Sequence, residues 1–394
     1  MALDVLYVEG PGDIVAAFDS WRAGREHASE TSVTFSSQLF AHCRAHGLSL
    51  MALSYCGRRA GVSYGTWRIE NLPRAMLRVP KVGYHLSLFW YALRLGARAL
   101  RHRPRLLLIT SGVVSWNMAW ALRWTGAVVV PILHNALWPE GFPPHRSLPS
   151  LAPWRSAEPP YTLVVSPAIQ RQLATLGSAA GARAVEFRPT FAAAEFPLPE
   201  LADPGVRPFL ILFAGRIEAE KGALDLVEIA ARLEAASPGA YRFDVCGSGS
   251  RSADLAAAIE RRGLGAMIDV RGRLPRAELI ERYRAAHVCV VPTRSSFAEG
   301  FAQVVAESIL LLRPVVTCPV VPASEPLADA VELAETDDPG SYADAIARLA
   351  GDPQRYARLA SACVGLRSQI LDRAMSFESA LDRLEHRLAE RGAR

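Results

Sequence analysis

Short apolar runs alternate along this chain with longer stretches that have helical periodicity. Runs such as residues 106–109 and 288–291 lack polar alternation, as expected for parallel strands that are covered on both faces. Between these runs, apolar residues recur with the spacing of one helix face. The alternation predicts an α/β protein. The predicted strands are residues 3–8, 48–53, 106–109, 127–132, 162–165, 209–213, 241–245, 268–270, 288–291 and 315–317, and the predicted helices are residues 37–46, 84–101, 167–176, 222–236, 252–262, 275–286 and 301–312.

A proline-rich segment divides this series of elements into two. Residues 189–208 contain five prolines and little periodicity, which is typical of a linker. A chain of 394 residues is also too long for one ordinary core. We therefore expect two doubly wound domains, residues 1–195 and 196–375, and a final helix over residues 376–394 that packs back on the body. Such domains bind ligands at the carboxyl ends of their strands, so two facing domains create a cleft.

Charge is distributed unevenly between the two halves of the chain. Residues 1–205 carry 20 Lys and Arg against 13 Asp and Glu, whereas the remainder carries 24 against 26. Nine basic residues and no acidic one lie between Glu70 and Glu140. A basic half favours an anionic partner. Nucleic acid is not expected, because the sequence has no recognised nucleic-acid-binding module and its net charge is modest.

The basic stretch 71–105 also contains apolar residues, among them Tyr84, Phe89 and Trp90. Two interpretations remain open. The stretch is either an interfacial surface that meets anionic lipid or a lipid-linked acceptor, or a helix whose aromatic residues are core and whose arginines are solvated. The basic and aromatic faces are not cleanly separated, so the pattern is compatible with both.

Cysteine usage indicates a reducing environment. The six cysteines have no CxxC pair and no zinc-binding spacing, and several lie inside apolar runs. We expect buried, reduced thiols, as in cytoplasmic proteins. Asp4 stands where a signal peptide would have basic residues, so secretion is not indicated. The expected location is the cytoplasm, with a peripheral position at the inner face of the membrane if residues 71–105 contact lipid.

Residues 215–222 are the first cluster that indicates chemistry, because they follow a predicted strand and precede a predicted helix. Gly215 and Gly222 allow a ligand to approach the backbone closely. Arg216 and Lys221 place two cations beside a helix N-terminus, an arrangement that suits a diphosphate. A surface turn with solvated charges is the alternative for this cluster alone.

The second cluster begins at Glu299 and ends at Glu307. The helix predicted to follow Glu299 has Gly300, Phe301 and Ala302 at its start, where unpaired N–H groups can meet phosphate oxygens. Glu307 falls among apolar residues, where a carboxylate is unfavourable unless it accepts hydrogen bonds. A ribose diol supplies two hydroxyl donors, and a neighbouring backbone or arginine donor is the alternative.

These two clusters resemble the donor-binding domain of glycosyltransferase family 4, a retaining family of GT-B architecture. Residues 215–222 match its phosphate-binding loop, and residues 299–307 match its EX7E motif. The resemblance covers about residues 208–349 and implies two facing Rossmann-like domains, the first for the acceptor and the second for a nucleotide-sugar donor. It further implies a retaining hexosyltransferase that needs no cofactor and acts on a saccharide, lipid-linked saccharide or small-molecule acceptor.

The resemblance also implies how the donor phosphates are held. Arg216 and Lys221 would bind the diphosphate and stabilise the charge that develops on it as the leaving group departs. Gly215 and the N–H groups around Gly300 and Phe301 would complete the phosphate cradle. No metal is expected, because the sequence has no Asp-x-Asp and the two cations and helix dipoles can replace it.

Three further residues receive roles from the same resemblance. Glu299 would bind hydroxyl groups on the far side of the donor sugar, and Glu307 would bind the ribose. His134 ends the segment after a predicted strand and matches the histidine that contacts the donor sugar near the reacting carbon. A purely structural histidine is the alternative when His134 is considered alone.

The loop after the first predicted strand departs from the family pattern. Gly10, Gly12 and Asp13 are the candidate residues for contact with acceptor or phosphate, but Pro11 separates the glycines and removes an N–H donor. Asp13 can cap the next helix, although its charge would repel phosphate if it faced the cleft. These departures concern the acceptor side of the predicted site rather than its donor side.

The sequence indicates the family more strongly than it indicates the base of the donor nucleotide or whether the protein is catalytically active. The turn at residues 272–275 has no acid that could pair with guanine, which favours UDP-sugars over GDP-sugars. A catalytically silent GT-B protein that binds nucleotide or saccharide as a regulatory or scaffold subunit is the alternative, supported by the altered loop. An epimerase or a phosphorylase is a third interpretation, although the cofactor lysine that a phosphorylase requires is not identified.

Overall fold

The computed structural model describes residues 3–26, 31–74, 83–143 and 149–392, which form two α/β units with one sheet each. The first unit comprises β1 Val5–Glu9, α1 Ile14–Arg22, α2 Phe35–Ala45, β2 Leu50–Ser54, β3 Ala60–Tyr64, β4 Trp67–Asn71, α3 Gly83–His102, β5 Leu106–Thr110, α4 Trp116–Ala121, β6 Val128–Leu133, β7 Thr162–Val164, α5 Pro167–Leu176, α6 Ser178–Ala182 and β8 Ala184–Glu186. The second unit and the helices after it comprise β9 Phe209–Ala214, α7 Asp225–Ala236, β10 Tyr241–Cys246, α8 Ser252–Arg261, β11 Ile268–Gly272, α9 Arg276–Ala285, β12 Val288–Val291, α10 Gln303–Leu310, β13 Val315–Thr317, β14 Val331–Leu333, α11 Pro339–Gly351, α12 Pro353–Leu371 and α13 Phe377–Gly392.

The first sheet has eight strands in the order β3-β4-β2-β1-β5-β6-β7-β8. Its strands pair in parallel except at one edge, where β3 and β4 form an antiparallel hairpin. β1 pairs with β2 on one side and with β5 on the other, so that Tyr7 lies opposite both Ala52 and Leu108. The chain order therefore reverses between β1 and β5, which is where ligands of such sheets bind.

The second sheet has six parallel strands in the order β11-β10-β9-β12-β13-β14. In chain order this is the 3-2-1-4-5-6 arrangement of dinucleotide-binding folds, with the reversal between β9 and β12. Ile211, Leu212 and Cys289 on these central strands are fully buried, which explains why the strand sequences lack polar alternation. The two sheets confirm the predicted fold class of two Rossmann-like, doubly wound domains.

The last helix, α13, leaves the second unit and packs against α2 and β8 of the first. Its buried face carries Phe377, Leu381 and Leu384. The backbone N–H of Phe377 donates to Gln38 Oε1 at 2.8 Å, and Arg383 donates to the carbonyl oxygen of Glu186 at 2.7 Å. The second unit is thus joined to the first by two chain segments, residues 187–208 and 372–376.

Each strand predicted from the sequence overlaps a strand of the structure, but four strands were not predicted. β3 is largely exposed, β4 alternates buried and exposed positions, and β8 and β14 have only three residues each. Two predicted helices begin later than expected, because left-handed residues precede them: Gly222 with φ of 68° before α7, and Ala302 with φ of 68° before α10. None of the helices within the described ranges is long and apolar enough to cross a membrane.

Candidate active site

A cleft of about 800 Å³ lies between the two units. The second unit contributes the loops after β9, β10, β11 and β12 and one side of α10. The first unit contributes His134 after β6 together with Thr31 and Phe35. The cleft therefore opens where the chain order of the second sheet reverses, at the carboxyl ends of its strands.

The loop after β9 brings Gly215, Arg216 and Lys221 into the cleft wall. The loop turns at Gly222, whose φ of 68° favours glycine. A Cβ atom at this position would also lie 1.9 Å from the carbonyl oxygen of Pro292, which follows β12. Glycine is therefore required here for the β9 and β12 loops to approach each other closely.

Lys221 and Glu299 form an ion pair across these two loops. Glu299 is 7% exposed, and its Oε2 atom also accepts a hydrogen bond from the Thr293 hydroxyl at 3.4 Å. The Lys221 ammonium lies 4.2 Å from the centre of the Phe297 ring, and the Arg216 guanidinium lies 6.0 Å from the same centre. Phe297 thus supports both cations from one side through cation–π contacts.

Glu307 lies on α10 with its carboxylate in the cleft wall and 6% of the residue exposed. Its Oε2 atom accepts a hydrogen bond from the Tyr283 hydroxyl at 2.7 Å, and its Oε1 atom accepts one from Thr31 of the first unit at 2.5 Å. Burial and the neighbouring carboxylate raise the pKa of Tyr283 well above its usual value, so the phenol keeps its proton and donates. The carboxylate therefore receives hydroxyl donors from both units.

The expected place of Gly300 in the first turn of a helix is wrong. α10 begins at Gln303, and the left-handed conformation of Ala302 separates it from Gly300. Phe301 and Ala302 line the cleft, but Gly300 does not. A Cβ atom on Gly300 would lie 1.8 Å from the carbonyl oxygen of His134 in the first unit. The glycine instead allows the backbones of the two units to touch.

His134 lies at the boundary of the cleft and stacks on Phe35, with ring centres 4.7 Å apart and planes 14° apart. The Phe187 ring approaches His134 edge-on at 6.0 Å. Removal of the imidazole from water lowers the pKa of His134 to about 4, because burial disfavours the charged form. The imidazole is therefore neutral at physiological pH.

None of the three candidate residues in the loop after β1 lines this cleft. Gly10 and Gly12 line a smaller cavity beside the cleft, whereas Asp13 is absent from the residues that line either. Asp13 caps α1 by accepting from Ala16 N at 3.0 Å. Burial raises the pKa of Asp13, but hydrogen bonds from Asn71, Ala16 and Arg58 outweigh burial and lower it overall. The Asp13 carboxylate is engaged by Arg58 and Asn71 and does not line the cleft.

The structure brings together most of the residues singled out from the sequence and adds others to them. Tyr283 and Thr31 at Glu307, Phe297 at Lys221, and Phe35 at His134 were not predicted. Each contacts a predicted residue across at least 24 positions of sequence, so local patterns carried no signal for them. Arg273 and Leu274, which line the cleft, lie in the turn at residues 272–275 that follows β11.

Comparison with known proteins gives a match in the second unit. Residues 203–363 match the family of glycosyl transferases group 1. A D-inositol 3-phosphate glycosyltransferase of Catenulispora acidiphila is 35% identical over 188 residues, which is 45% of this chain and 43% of that protein. One from Thermobifida fusca is 32% identical over 188 residues, or 44% of this chain and 41% of that protein. The matches thus span less than half the length of these relatives.

Solved structures resemble the whole chain. Sucrose-phosphate synthase from Thermosynechococcus elongatus superposes with a TM-score of 0.71 at 17% identity, covering 98% of this chain and 99% of that one. Anabaena HepE in complex with UDP superposes with a TM-score of 0.65 at 16% identity, covering 98% and 100%. At such identities the likeness describes the fold.

The family match and the fold agree with the motifs in residues 215–222 and 299–307, which both lie inside the matched region. They confirm the resemblance to glycosyltransferase family 4 on which the fold was predicted. This chain has the GT-B fold, and its residues 203–363 match the family of glycosyl transferases group 1.

Proposed function

We propose that this protein is a retaining glycosyltransferase that moves a sugar from a UDP-sugar to a hydroxyl group of a saccharide or lipid-linked saccharide. The observation that carries the proposal is the convergence of Arg216, Lys221, Glu299 and Glu307 from one unit with His134 from the other around one cleft. A concave site with a few convergent polar groups between two domains is the usual setting for a small-molecule substrate.

In the proposed reaction, the bond between the anomeric carbon and the diphosphate oxygen breaks. The acceptor oxygen forms its bond to that carbon from the same face, and the acceptor proton passes to the departing phosphate. Arg216 and Lys221 would stabilise the negative charge on that phosphate. Glu299 would hold the Lys221 ammonium and accept hydrogen bonds from sugar hydroxyls. Neutral His134 would accept a hydrogen bond from the sugar near the reacting carbon.

The proposed nucleoside position follows from the wall of the cleft on the α10 side. Glu307 would accept hydrogen bonds from the ribose hydroxyls, and Arg273 and Leu274 would border the base. UDP is preferred, since no acidic side chain among the described residues of this turn could pair with the two donors of guanine. The UDP complex of HepE, which shares the fold, supports this preference.

Titration calorimetry with UDP, GDP, ADP and TDP tests the proposed donor site. We expect UDP to bind at least about tenfold more tightly than GDP, which corresponds to about 1.4 kcal/mol. Lys221→Ala and Glu307→Gln should each weaken UDP binding by roughly 10- to 100-fold, because each removes a charged partner of the ligand. The control Glu335→Gln changes an exposed carboxylate of the same unit outside the cleft and should leave the affinity unchanged. If Lys221→Ala and Glu307→Gln bind UDP as tightly as the wild type does, the proposed donor site is wrong.

Turnover is tested separately, by nucleotide release from UDP-hexoses and by NMR of the anomeric proton in the product. Glu299→Ala should lower kcat at least about 100-fold, a loss of roughly 3 kcal/mol of transition-state stabilisation. Retention of the donor's anomeric configuration is expected. Undiminished turnover in Glu299→Ala, or an inverted product, would contradict the proposed mechanism.

We also propose that transfer needs no metal ion, because Arg216 and Lys221 place positive charge where the leaving group would depart. A group of potential metal ligands in the described part of the chain, formed by His42, His46 and Asp382, joins α2 to α13 and does not line the cleft. Turnover should be the same in excess EDTA as in added Mg²⁺. A tenfold or larger loss in EDTA that Mg²⁺ restores would count against metal independence.

A catalytically silent, nucleotide-binding subunit is the second candidate function. It is favoured by the hydrogen bond from Thr31 to Glu307, which occupies the proposed ribose carboxylate from the other unit. The interruption of the β1 loop by Pro11 points the same way. Binding of UDP without hydrolysis or transfer of any UDP-hexose would favour this candidate, and any catalytic release of UDP would exclude it.

The helix α3 supports a proposal about location. Phe89, Trp90 and Leu93 are 45%, 56% and 47% exposed, whereas Leu88 and Tyr91 are buried. The interpretation that all aromatic residues of this stretch are core is therefore wrong for Phe89, Trp90 and Tyr84, which is 49% exposed. Residues 75–82 of the stretch lie outside the described residues. We propose that this apolar face and its neighbouring arginines contact an anionic membrane from the cytoplasm.

Cosedimentation with phosphatidylcholine vesicles, with and without phosphatidylglycerol, tests the proposed membrane contact. We expect binding only with the anionic lipid, and loss of most binding in Phe89→Ser/Trp90→Ser because aromatic side chains anchor at the interface. Tyr64→Ser, which changes a similarly exposed aromatic residue on β3, is the control. Equal binding by the α3 variant and the wild type would contradict the proposal.

A further inference from the structure

Two histidines at the end of α2 meet an aspartate of α13 outside the cleft. His42 lies in the last turn of α2 and His46 directly follows that helix, so the spacing of four positions places both side chains on one face. Asp382 faces them from α13, which packs against α2. One ring nitrogen of each histidine and one Asp382 oxygen all lie within 4.8 Å of one another. The cluster therefore joins the last helix of the chain to the first unit.

The separations within the cluster are close to those of a zinc site. Asp382 Oδ1 lies 3.1 Å from His42 Nδ1 and 3.1 Å from His46 Nε2. Ligand atoms around a tetrahedral zinc ion, each about 2.0–2.2 Å from the metal, are about 3.3 Å from one another. Two of the three separations thus already suit zinc. The His46 side chain is exposed, so its rotation can bring its nitrogen closer to that of His42.

The buried member of the cluster is His42, which is 3% exposed. Its Nδ1 atom makes no hydrogen bond within the described ranges, although Asp382 Oδ1 lies 3.1 Å away. A buried polar atom without a hydrogen bond is unfavourable and needs an explanation. A metal ion that accepts the lone pair of Nδ1 and is also bound by Oδ1 would remove that cost. The position of the two atoms therefore favours a shared ion over a direct bond between them.

The other nitrogen of His42 faces a carboxylate. His42 Nε2 lies 3.8 Å from Glu385 Oε1 on the next turn of α13. Arg105 holds this carboxylate from the first unit by donating to the same oxygen at 2.9 Å. Histidines that bind a metal through one ring nitrogen commonly have a carboxylate at the other, which fixes the tautomer and orients the ring. The surroundings of His42 are thus those of a metal-binding histidine.

We propose that His42 Nδ1, His46 Nε2 and Asp382 Oδ1 bind a zinc ion that fastens α13 to α2. Imidazole ligands select zinc and neighbouring transition metals over Mg²⁺ and Ca²⁺, which prefer oxygen ligands. His46 and Asp382 are exposed, so water can occupy the fourth position. None of the three residues lines the cleft. The zinc site is therefore independent of the proposed transferase function, and transfer itself still needs no metal.

Zinc at this position would stabilise the packing beside the cleft. α2 begins at Phe35, whose ring stacks on His134, and α13 begins at Phe377, whose ring contacts Phe35. The two helices are thus joined at their starts by aromatic packing. The zinc site would join them again farther along both helices, at Asp382. The ion would act through the docking of α13 and without contact to a substrate.

Titration calorimetry with ZnCl₂ tests the site on the full chain after removal of metals with EDTA. We expect one zinc ion per chain with a Kd of about 1 µM or lower, and no binding of Mg²⁺. His46→Gln and Asp382→Asn, which change exposed ligands, should each weaken zinc binding at least about tenfold. His386→Gln, at an exposed histidine of α13 outside the cluster, is the control. Absence of saturable binding, or equal affinity in both ligand variants, would overturn the proposal and leave an ion pair of Asp382 with the two histidines.

Hydrogen exchange and thermal denaturation test where the ion acts. Zinc at about 100 times its Kd should slow amide exchange in α2 and α13 and raise Tm by at least about 2 °C, because the ligands come together only when α13 is docked. Both effects should be lost in Asp382→Asn and kept in His386→Gln. Protection by zinc elsewhere in the chain, with none in these two helices, would contradict the assignment. UDP binding is measured without zinc, so either failure leaves the proposed transferase function standing.

Discussion

Gly300 and His134 show how one absent side chain allows the two units to meet. The carbonyl oxygen of His134 occupies the space that a Cβ atom on Gly300 would need, and Asn135 lies 3.2 Å from the same point. Backbone atoms cannot move aside as the end of a flexible side chain can. The contact therefore fixes both the entry to α10 and the position of His134 beside the cleft.

Replacing Gly300 with alanine should force this contact apart. We expect Gly300→Ala to lower the free energy of unfolding by about 2 kcal/mol or more, as overpacking does in well-packed interiors. Gly265→Ala is the matched control, because no atom lies within 4 Å of a Cβ there and its φ is not in the left-handed region. Urea denaturation measures both variants. A similar small change in the two would show that the units do not meet as described.

The depressed pKa of His134 makes stability depend on pH. The imidazole has a pKa of about 4 in the folded chain and about 6.5 when unfolded, so on acidification the unfolded chain binds this proton first. The free energy of unfolding should therefore fall as the pH decreases from 6.5 to 4. The loss should stay below about 3 kcal/mol, since the ring borders the cleft.

The variant His134→Phe removes this contribution and should show a shallower pH dependence of unfolding between pH 6.5 and 4. The stack on Phe35 can persist with a phenyl ring. His386→Gln, which changes an exposed histidine of α13, serves as the control and should keep the wild-type slope. Identical slopes for His134→Phe and the wild type would contradict the neutral, dehydrated imidazole.

At the scale of elements, the strands that could be predicted from the sequence are those that are buried along their whole length. The central strands of both sheets appear as uninterrupted apolar runs, and all ten predicted strands exist. The β3–β4 hairpin was missed because β3 is an exposed edge strand, and β8 and β14 because three residues give no periodicity. The start of α10 was misplaced, since propensity gives no warning that Ala302 adopts a left-handed conformation.

The helix α13 contributes aromatic packing near the candidate site. Phe377 is fully buried, and its ring lies 5.1 Å from Phe187 and 5.5 Å from Phe35, both of which contact His134. This helix therefore belongs to the cluster that supports the histidine, although it comes after the second unit in the chain.

Truncating this ring should lower the free energy of unfolding. We expect Phe377→Ala to cost about 3 to 5 kcal/mol, the range for a large aromatic residue removed from a core. Leu198→Ala, at an exposed position of the linker, is the control and should cost less than about 0.5 kcal/mol. Chemical denaturation provides both values. A loss below about 1 kcal/mol in Phe377→Ala would mean that α13 is not docked on the first unit.

At the scale of the whole molecule, the cleft depends on contacts that no local pattern reveals. Thr31 bonds to Glu307 and Ser32 bonds to Gln303 across more than 270 positions of sequence. The motifs identified the second unit's side of the cleft, because its residues follow strands in fixed order within one sheet. The first unit's side is assembled from the loop after β6 and from residues 31–35, so that His134 was predicted whereas Thr31 and Phe35 were not.

The bond from Thr31 predicts competition between the first unit and the nucleotide. If Glu307 binds the ribose, Thr31→Val removes one hydroxyl donor that competes with the ribose for Oε1 and should lower the Kd for UDP by about three- to tenfold. Ser32→Ala removes the neighbouring bond between the units without touching Glu307 and should leave the Kd unchanged. Titration calorimetry measures both. Weaker UDP binding by Thr31→Val would instead show that Thr31 assists the ligand.

The return of α13 to the first unit determines how the two units can move relative to each other. The chain passes between them twice, and the two crossings are tied together where the N–H of Arg188 donates to the carbonyl oxygen of Met375 at 2.7 Å. A hinge made of two adjacent chain segments bends most easily about one axis and resists twisting. The second unit should therefore swing as one body about a single hinge line, so that opening the cleft to release a nucleotide would also draw Thr31 away from Glu307.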